Sequence, residues 1–330
     1  MNHVQHSITI ADIEHAAHRI HEQILKTPLN RSQSLSDTCG HPVYLKMECL
    51  QTTGSFKLRG ATNAMMALSD EEKQRGVVCV STGNHGRGLA YAAKQNNIRA
   101  VVCMGSLVPQ NKIDGIRALG AEVRIVGSSQ DEAQAEVDRL VEEDGMTMLP
   151  PFDHPNIIAG QGTIGLEILE QIDKINTLLV PLSGGGLLAG VACAVKTKSP
   201  DTRIVGVTME RGCAMYQSLR SGKPVAVDEV ATLADSLGGG IGIDNQYTFH
   251  MIEQLVDDTV LVSEENIADA IRHAYFNEQF VIEGSGSVGL AAILSDAAET
   301  DGNTVAIVSG KNIDMQMHQT IINGDMPDIY

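Results

Sequence analysis

One lysine stands out for its surroundings. In QTTGSFKLRGA (51–61), Lys57 sits among small and hydroxyl-bearing residues, immediately ahead of an apolar helical pattern. An amine so placed can attack an aldehyde, provided its neutral form is reachable at working pH. Thr53 and Ser55 are small and polar, Phe56 offers an apolar wall, and partial desolvation lowers a lysine pKa. Read alone, the same residue is simply an exposed charge near a helix start, because lysine is rarely buried. A second chemical signal is SGGGLLAG (183–190). Its glycines let backbone N–H groups approach an anion closely, and a helix starting there would add its dipole. Without a ligand, the same residues make an ordinary tight turn.

Both signals need elements to hold them. Strand-like runs at VYLKMEC (43–49), GVVCVST (76–82), RAVVCMG (99–105) and AEVRIVG (121–127) alternate with helical patterns over Arg87–Asn96, Asn111–Leu119 and Gln130–Glu143. An earlier amphipathic helix is expected over Ala11–Leu25, with Ile13, Ala17, Ile20 and Ile24 on one face. The alternation then resumes with a helix at Gly165–Ile172, a strand at TLLVPLS (177–183), a helix at Leu187–Lys196 and a strand at RIVGVTM (203–209). Helices at Glu264–Asn277 and Ser287–Ser295 and a strand at NTVAIVS (303–309) follow. So regular an alternation predicts an α/β protein, with two doubly wound units of right-handed crossovers. PPFDHPN (150–156) is the natural crossing point between them, since its three prolines interrupt helix and central strand alike. Parallel sheets bind ligands beyond the carboxyl ends of their strands, which selects STGNHGRG (81–88), SGGGLLAG and SGKN (309–312).

Two cofactors could explain a phosphate cradle. Gly284, Gly286 and Gly289 in EGSGSVGLAA match the spacing of a dinucleotide fingerprint. That fingerprint belongs in the first βαβ unit of a domain and wants an acidic residue closing the next strand, whereas here the next strand ends at Ser309. No GxxxxGK[ST] run is present either. Pyridoxal phosphate, by contrast, accounts for the lysine and the cradle together.

SFKLRGA, STGNHGRGLAYAA, FDHPNIIAGQGTIGLEI, SGGGLLAG and SGKN occur in an order and at spacings that resemble the fold-type II pyridoxal-phosphate enzymes, among them the threonine/serine dehydratases and serine racemase. The resemblance runs from about Ile13 to Asp314. It implies a tryptophan synthase β-like fold with the cofactor cleft between two domains, a large one of residues 1–67 and 154–330 and a small one of residues 68–153. Lys57 would then be the Schiff-base lysine and, once freed, the base at the substrate Cα. The loop of Ser183, Gly184, Gly185, Gly186 and Leu187 would hold the cofactor phosphate. Asn84 would bond the pyridine 3-hydroxyl, and Ser309 would meet the pyridine nitrogen without forcing its protonation. Phe56, Gly239 and Glu283 would border the ring. Ser81, Thr82, Gly83, Asn84 and His85 would receive the substrate carboxylate at a helix N-terminus. The implied reaction removes the β-hydroxyl of a hydroxy amino acid and yields a 2-oxo acid and ammonia.

Three departures from the family pattern narrow this reading. Thr82 stands where racemases carry a serine as second acid/base, which ranks dehydration above racemisation. Thr208 and Ala214 occupy the two carboxylate positions of the divalent-cation site that relatives carry, so no metal is expected, with Glu210 near enough for a shifted site. Lys311 replaces a glycine in SGKN. TMERGCAMYQS, ADSLGGGIGIDN and VSGKNIDM are similar to hydroxyectoine-utilisation dehydratases, threonine dehydratase-like enzymes of ectoine catabolism. Alternatives within the family are a serine or aspartate racemase and a 3-hydroxyaspartate dehydratase. A ligand-binding module that lost the reaction would have little reason to retain Lys57, Asn84, the glycine loop and Ser309 together.

Composition sets the outer bounds. With 330 residues, 43% of them hydrophobic, the chain can bury sizeable cores, and a net charge of −17 disfavours nucleic acid and anionic membrane surfaces. The six cysteines form no CxxC pair or dense framework and read as reduced thiols of a cytoplasmic protein. No signal peptide is expected from MNHVQHSITI, and no C-terminal regulatory domain after SGKN. The uncharged run Thr177–Val195 is expected to be strand, turn and helix rather than a membrane span. His15, His18 and His21 read as a solvated helix face, and Met315, Met317 and Met326 as contacts to a second subunit of a homodimer.

Overall fold

The computed structural model describes residues 8–81, 83–106, 108, 110–127 and 130–329. Its strands are β1 (Leu29–Ser32), β2 (Val43–Lys46), β3 (Val77–Val80), β4 (Ala100–Met104), β5 (Glu122–Ile125), β6 (Thr147–Met148), β7 (Thr177–Pro181), β8 (Arg203–Met209), β9 (Asp258–Val262) and β10 (Thr304–Ile307). The helices of the first half are α1 (Ile10–Ile20), α2 (Gln33–Cys39), α3 (Lys57–Met66), α4 (Asp70–Arg75), α5 (Asn84–Gln95), α6 (Gln110–Ala118) and α7 (Gln130–Asp144). Those of the second half are α8 (Pro155–Gln171), α9 (Gly186–Lys198), α10 (Ala214–Ser221), α11 (Thr248–Leu255), α12 (Glu264–Phe276), α13 (Gly284–Leu294) and α14 (Met315–Ile322).

The strands form a six-stranded sheet in the order β1-β2-β10-β7-β8-β9 and a four-stranded sheet in the order β5-β4-β3-β6. Every pairing is parallel except that of β1 with β2 at one edge. The central strands are apolar throughout because both faces are covered, and their alternation sorts side chains between two cores. Leu178 and Val180 of β7 and Val305 and Ile307 of β10 face the layer of α1, α8 and α9. Leu179, Ala306 and Val205 face the layer of α2, α12 and α13. The smaller sheet divides likewise, with α3, α5 and α6 on one face and α7 on the other.

The expected alternation is present; the structure adds β1, β6 and β9 and helices α2, α4, α10, α11 and α14 to it, and the predicted elements differ at their ends. The apolar spacing predicts a helix reaching Leu25, but α1 stops at Ile20. There the Gln23 N–H turns back onto Ile20 O at 2.9 Å, and Gln51 then holds Leu25 through its N–H and its carbonyl. The strand predicted over 43–49 ends at Lys46 and passes into a short 3₁₀ turn at Glu48–Leu50. Two helices start earlier than predicted. α8 starts at Pro155 rather than Gly165, with His154 as its N-cap and proline pre-set for the first turn. Its glycines let helices pack almost in contact: a Cβ on Gly160 would lie 2.7 Å from Gly60 Cα, and one on Gly162 would lie 2.8 Å from Gly190 O.

α13 starts at Gly284, so the GxGxxG residues lie inside a helix, where a Cβ on Gly284 would collide with Leu233 O and one on Gly286 with Gly310 O. These glycines serve close packing. Thr177–Val195 resolves into β7, a glycine turn and α9, and among the described residues no helix is long and apolar enough to cross a membrane. His15, His18 and His21 are exposed, the last two rings stacking at 5.6 Å.

Candidate active site

Lys57 is the first residue of α3, and its helix cap Phe56 is fixed by a backbone N–H bond to Ser309 O at 3.0 Å. An isolated antiparallel bridge joins the neighbouring residues Ser55 and Gly310. The predicted lysine segment and the predicted SGKN segment are therefore locked together by main-chain contacts. The Lys57 amine turns into a cavity also lined by Phe56, Asn84, Ser183–Leu187, Glu283 and Ser309. It donates a hydrogen bond to Pro151 O at 2.8 Å, and the Phe56 ring centroid lies 5.4 Å away. Burial lowers its pKa to about 8, since desolvation disfavours the charged ammonium.

At the glycine loop, Gly185 caps α9 with φ +91° and no side-chain cap bond, so the first N–H groups of the helix stay directed at the cavity. A side chain on Gly184 would enter the Phe152 ring, and one on Gly186 would meet the Phe152 backbone at 3.0 Å. Phe152 thus lies over the loop and helps line the cavity. Its neighbour Asp153 accepts three N–H groups, from Gln246 at 2.6 Å and from Tyr247 and Thr248 at 2.9 Å each, anchoring the start of α11. Three consecutive residues, Pro151 to Asp153, consequently touch the lysine, the loop and the segment after the LGGGIG run.

Asn84 opens α5 and lies buried. Its Nδ2 donates to Glu283 Oε1 at 2.6 Å, and its Oδ1 accepts from Asn312 Nδ2 at 2.6 Å. Burial pushes the Glu283 carboxyl up to about 8, with the charge of Asp235 adding to the effect and the Asn84 and Asn312 donors opposing it. Ser309 is buried and donates to Ser285 O at 3.2 Å.

The remaining expected residues are distributed differently. Ser81 accepts from the Gly83 N–H at 3.3 Å and the Gly86 N–H at 2.9 Å, so its hydroxyl oxygen organises the first turn of α5. Thr82 lies outside the described residues. His85 is buried with Nε2 paired to Leu149 O at 2.8 Å, and burial and the Lys57 charge lower its pKa to about 4. The His85 ring is not part of the cavity lining, and neither is Gly239, which has φ +95° and open space where a Cβ would stand. On that side the wall is made by Ser236 and Leu237. Lys311 is exposed and outside the lining. Thr208 is buried with its hydroxyl against Met209 Sδ, and Ala214 begins α10. The sequence reading missed Phe152, Ser236, Ser285 and Asn312, although FDHPN and SGKN had been singled out as motifs.

Beneath the lysine, the side of α3 turned away from the cavity carries a buried ionic cluster. Arg59 pairs with Glu48 at 2.8 Å and with Glu167 at 2.7 Å, and Lys46 pairs with Glu167 at 2.6 Å. Burial opposes ionisation of Glu48, but the Arg59 guanidinium overrides it and holds the carboxyl below its usual range. Two cations and two anions thus fix the helix that presents Lys57.

The cavity suits a phosphorylated aldehyde on two independent grounds. A cradle of uncapped N–H groups would be filled by any side chain at Gly184 or Gly186, and the Ser285 hydroxyl that lines the cavity is buried without a hydrogen-bond partner. An α/β protein of two parallel sheets with a lysine, an anion cradle and a neutral serine converging on one cavity is the architecture of a fold-type II enzyme. The model of the family described as "Pyridoxal-phosphate dependent enzyme" matches residues 20–310, and the chain belongs to that family. A protein of Sinorhizobium fredii is 56% identical over 319 residues, covering 96% of each chain. The L-threonine ammonia-lyase of Thermotoga maritima is 43% identical over 96% of this chain and 78% of its own. The solved structure of maize serine racemase superposes with a TM-score of 0.91 at 33% identity, covering 96% of this chain and 98% of that one.

Proposed function

We propose that the chain is a dehydratase and ammonia-lyase that converts a β-hydroxy amino acid to a 2-oxo acid and ammonia. The observation that carries this reading is the Lys57 amine, poised near neutrality and facing the same cavity as Ser309 and the glycine loop. Its relationship to a threonine ammonia-lyase supports the substrate class.

Pyridoxal phosphate, when bound, supplies the electron sink that acidifies the α-hydrogen of an amino acid. The loop Ser183–Leu187 would hold its phosphate, Asn84 would donate to its phenolic oxygen, and Ser309 would offer its ring nitrogen a hydroxyl instead of a carboxylate. Phe56 and Glu283 would border the ring, with Gly239 in the segment that follows Ser236 and Leu237 on that wall. Lys57 takes the proton from Cα as general base. Ser81, Thr82, Gly83, Asn84 and His85 bind the substrate carboxylate, chiefly through N–H groups at the start of α5. Phe152 and Phe56 keep water from the reacting atoms. The water lost with the β-hydroxyl is regained in the hydrolysis that frees ammonia.

The motif likeness to hydroxyectoine-utilisation dehydratases suggests a substrate from ectoine catabolism. Racemisation is the second reading, favoured by the likeness to a serine racemase and opposed by Thr82 in place of serine. Residues 68–153 act as a small domain against a large one of 1–67 and 154–330, since β3 to β6 all fall within the former and the other six strands within the latter. A cytoplasmic homodimer accords with six free cysteines and with the exposed apolar side chains of Phe276, Met315 and Met326. The test is to supply threonine, serine, 3-hydroxyaspartate and hydroxyectoine-derived amino acids and to follow keto acid, ammonia and the mirror-image amino acid. Keto acid from at least one supports lyase activity, and a mirror image without keto acid would replace it with racemisation.

A further inference from the structure

We infer that Asn312 is a positioning residue that dictates which face of the Asn84 amide meets the cofactor. This rests on the proposed role of Asn84 but not on the identity of the substrate. The orientation follows from main-chain groups whose polarity is fixed. Asn312 Nδ2 lies 2.9 Å from Thr53 O, and a carbonyl oxygen can only accept, so the nitrogen of the Asn312 amide must face it. The same nitrogen lies 2.6 Å from Asn84, which must therefore turn its oxygen toward Asn312. The other end of the Asn84 amide is then Nδ2, which reaches Glu283 Oε1 at 2.6 Å. Glu283 is held in turn by the Asn312 N–H, donated to Oε2 at 2.9 Å. Asn312 thus holds Asn84 by its side chain and Glu283, the partner at the other end of that amide, by its main chain.

Two glycines make room for this chain of bonds. A Cβ on Gly54, which has φ +80°, would lie 2.5 Å from Asn312 Oδ1, and one on Gly310 would collide with Glu283 Oε1. The consequence is chemical. Asn84 can present only N–H to the cavity, so it stabilises an anionic phenolic oxygen on the cofactor and repels none of its charge. In Asn312→Asp the anchor to Thr53 O is lost, the new carboxylate attracts the Asn84 NH2 group, and the Asn84 carbonyl turns toward the cofactor.

The experiment is a pH titration of the visible absorption of the pyridoxal-phosphate holoenzyme for wild type, Asn312→Asp and Asn312→Ala. The expected result is an upward shift of the titration midpoint, larger for the aspartate than for the alanine variant. A roughly tenfold or greater fall in kcat with a smaller change in KM should accompany it, as for loss of one hydrogen bond to a charged group. Urea unfolding and far-ultraviolet circular dichroism of the same samples separate this from general loosening. Variants that lose stability while keeping the wild-type midpoint would overturn the inference, as would variants that keep both. Failure of the substrate assay alone would refute the proposed reaction and leave this inference standing, because the spectrum requires no turnover.

Discussion

The Lys57 amine donates to the Pro151 carbonyl at 2.8 Å, and the next side chain along, Phe152, covers the glycine loop. The reactive group and the anion cradle are thus supported by one short segment, in a setting that holds the lysine near neutrality. The neutral fraction of an amine grows as pH rises through its pKa, about 8 here. Capture of pyridoxal phosphate by the cofactor-free protein should therefore accelerate as pH is raised toward 8 and level off above it. Stopped-flow absorbance would measure this. Lys57→Ala should show no borohydride-sensitive band and should lose roughly 10⁴-fold in kcat, the upper range for a positioned acid/base group.

Gly184→Ala places a methyl group in the Phe152 ring, and Gly185→Ala forces a side chain onto a backbone at φ +91°. Both should reduce cofactor retention on dialysis by about tenfold or more, since each displaces N–H groups aimed at a charged ligand. If Gly184→Ala acts through the ring, adding Phe152→Leu should restore part of the loss, whereas the same change should not help Gly185→Ala. Equal retention in all variants would remove the loop from the cofactor site.

Arg59 is the shared partner of Glu48 and Glu167 and is itself buried. Arg59→Met strands the buried Glu48 carboxylate, while Glu167 keeps its pairing with Lys46 at 2.6 Å, and should cost about 3–5 kcal/mol in urea unfolding at neutral pH. The pH dependence has a definite sign. The folded-state pKa of Glu48 lies below its unfolded value near 4.5, so its contribution is complete above that value and is lost as pH falls through the folded one. The gap between wild type and variant should therefore be widest at neutral pH and narrow below about 4.5. A gap independent of pH would show that Arg59 acts by packing alone.

Asp153 caps α11 through three main-chain donors. Asp153→Ala should destabilise the fold by about 1–2 kcal/mol, the usual cost of a lost cap. Because the freed segment follows directly on Ser236 and the LGGGIG run, KM for the amino acid should rise more than kcat falls. Unchanged KM would separate this segment from substrate binding.

How much of this could be read beforehand depends on how local the determinants are. β8 was legible residue for residue, because it is apolar-rich, lies between β7 and β9 and is buried on nearly its whole length. β1, the four residues LNRS, has no such signature and exists only because β2 offers it an edge. α13 begins in a glycine-rich stretch and α8 carries glycines at 160, 162 and 165, poor helix formers that tertiary packing makes the right choice. In the site, Lys57, Asn84, Glu283, Ser309 and the glycine loop announced themselves by motif. Phe152, Ser236, Ser285 and Asn312 did not, since their roles depend on which loops meet, and His85 was drawn inward by Leu149, a residue 64 positions away.

The placement of β10 sets a timetable. This strand is central to the six-stranded sheet, pairing with both β2 and β7, yet it is the last of the ten to leave the ribosome. The main-chain clasp between Ser55 and Gly310 closes only after it has docked. Contacts spanning that much sequence are slow to form and leave strand edges bare while they wait. Synthesis at reduced temperature, or with chaperones in excess, should therefore raise the soluble yield more than an excess of cofactor does, because the cradle has no lysine fixed opposite it until β10 has docked.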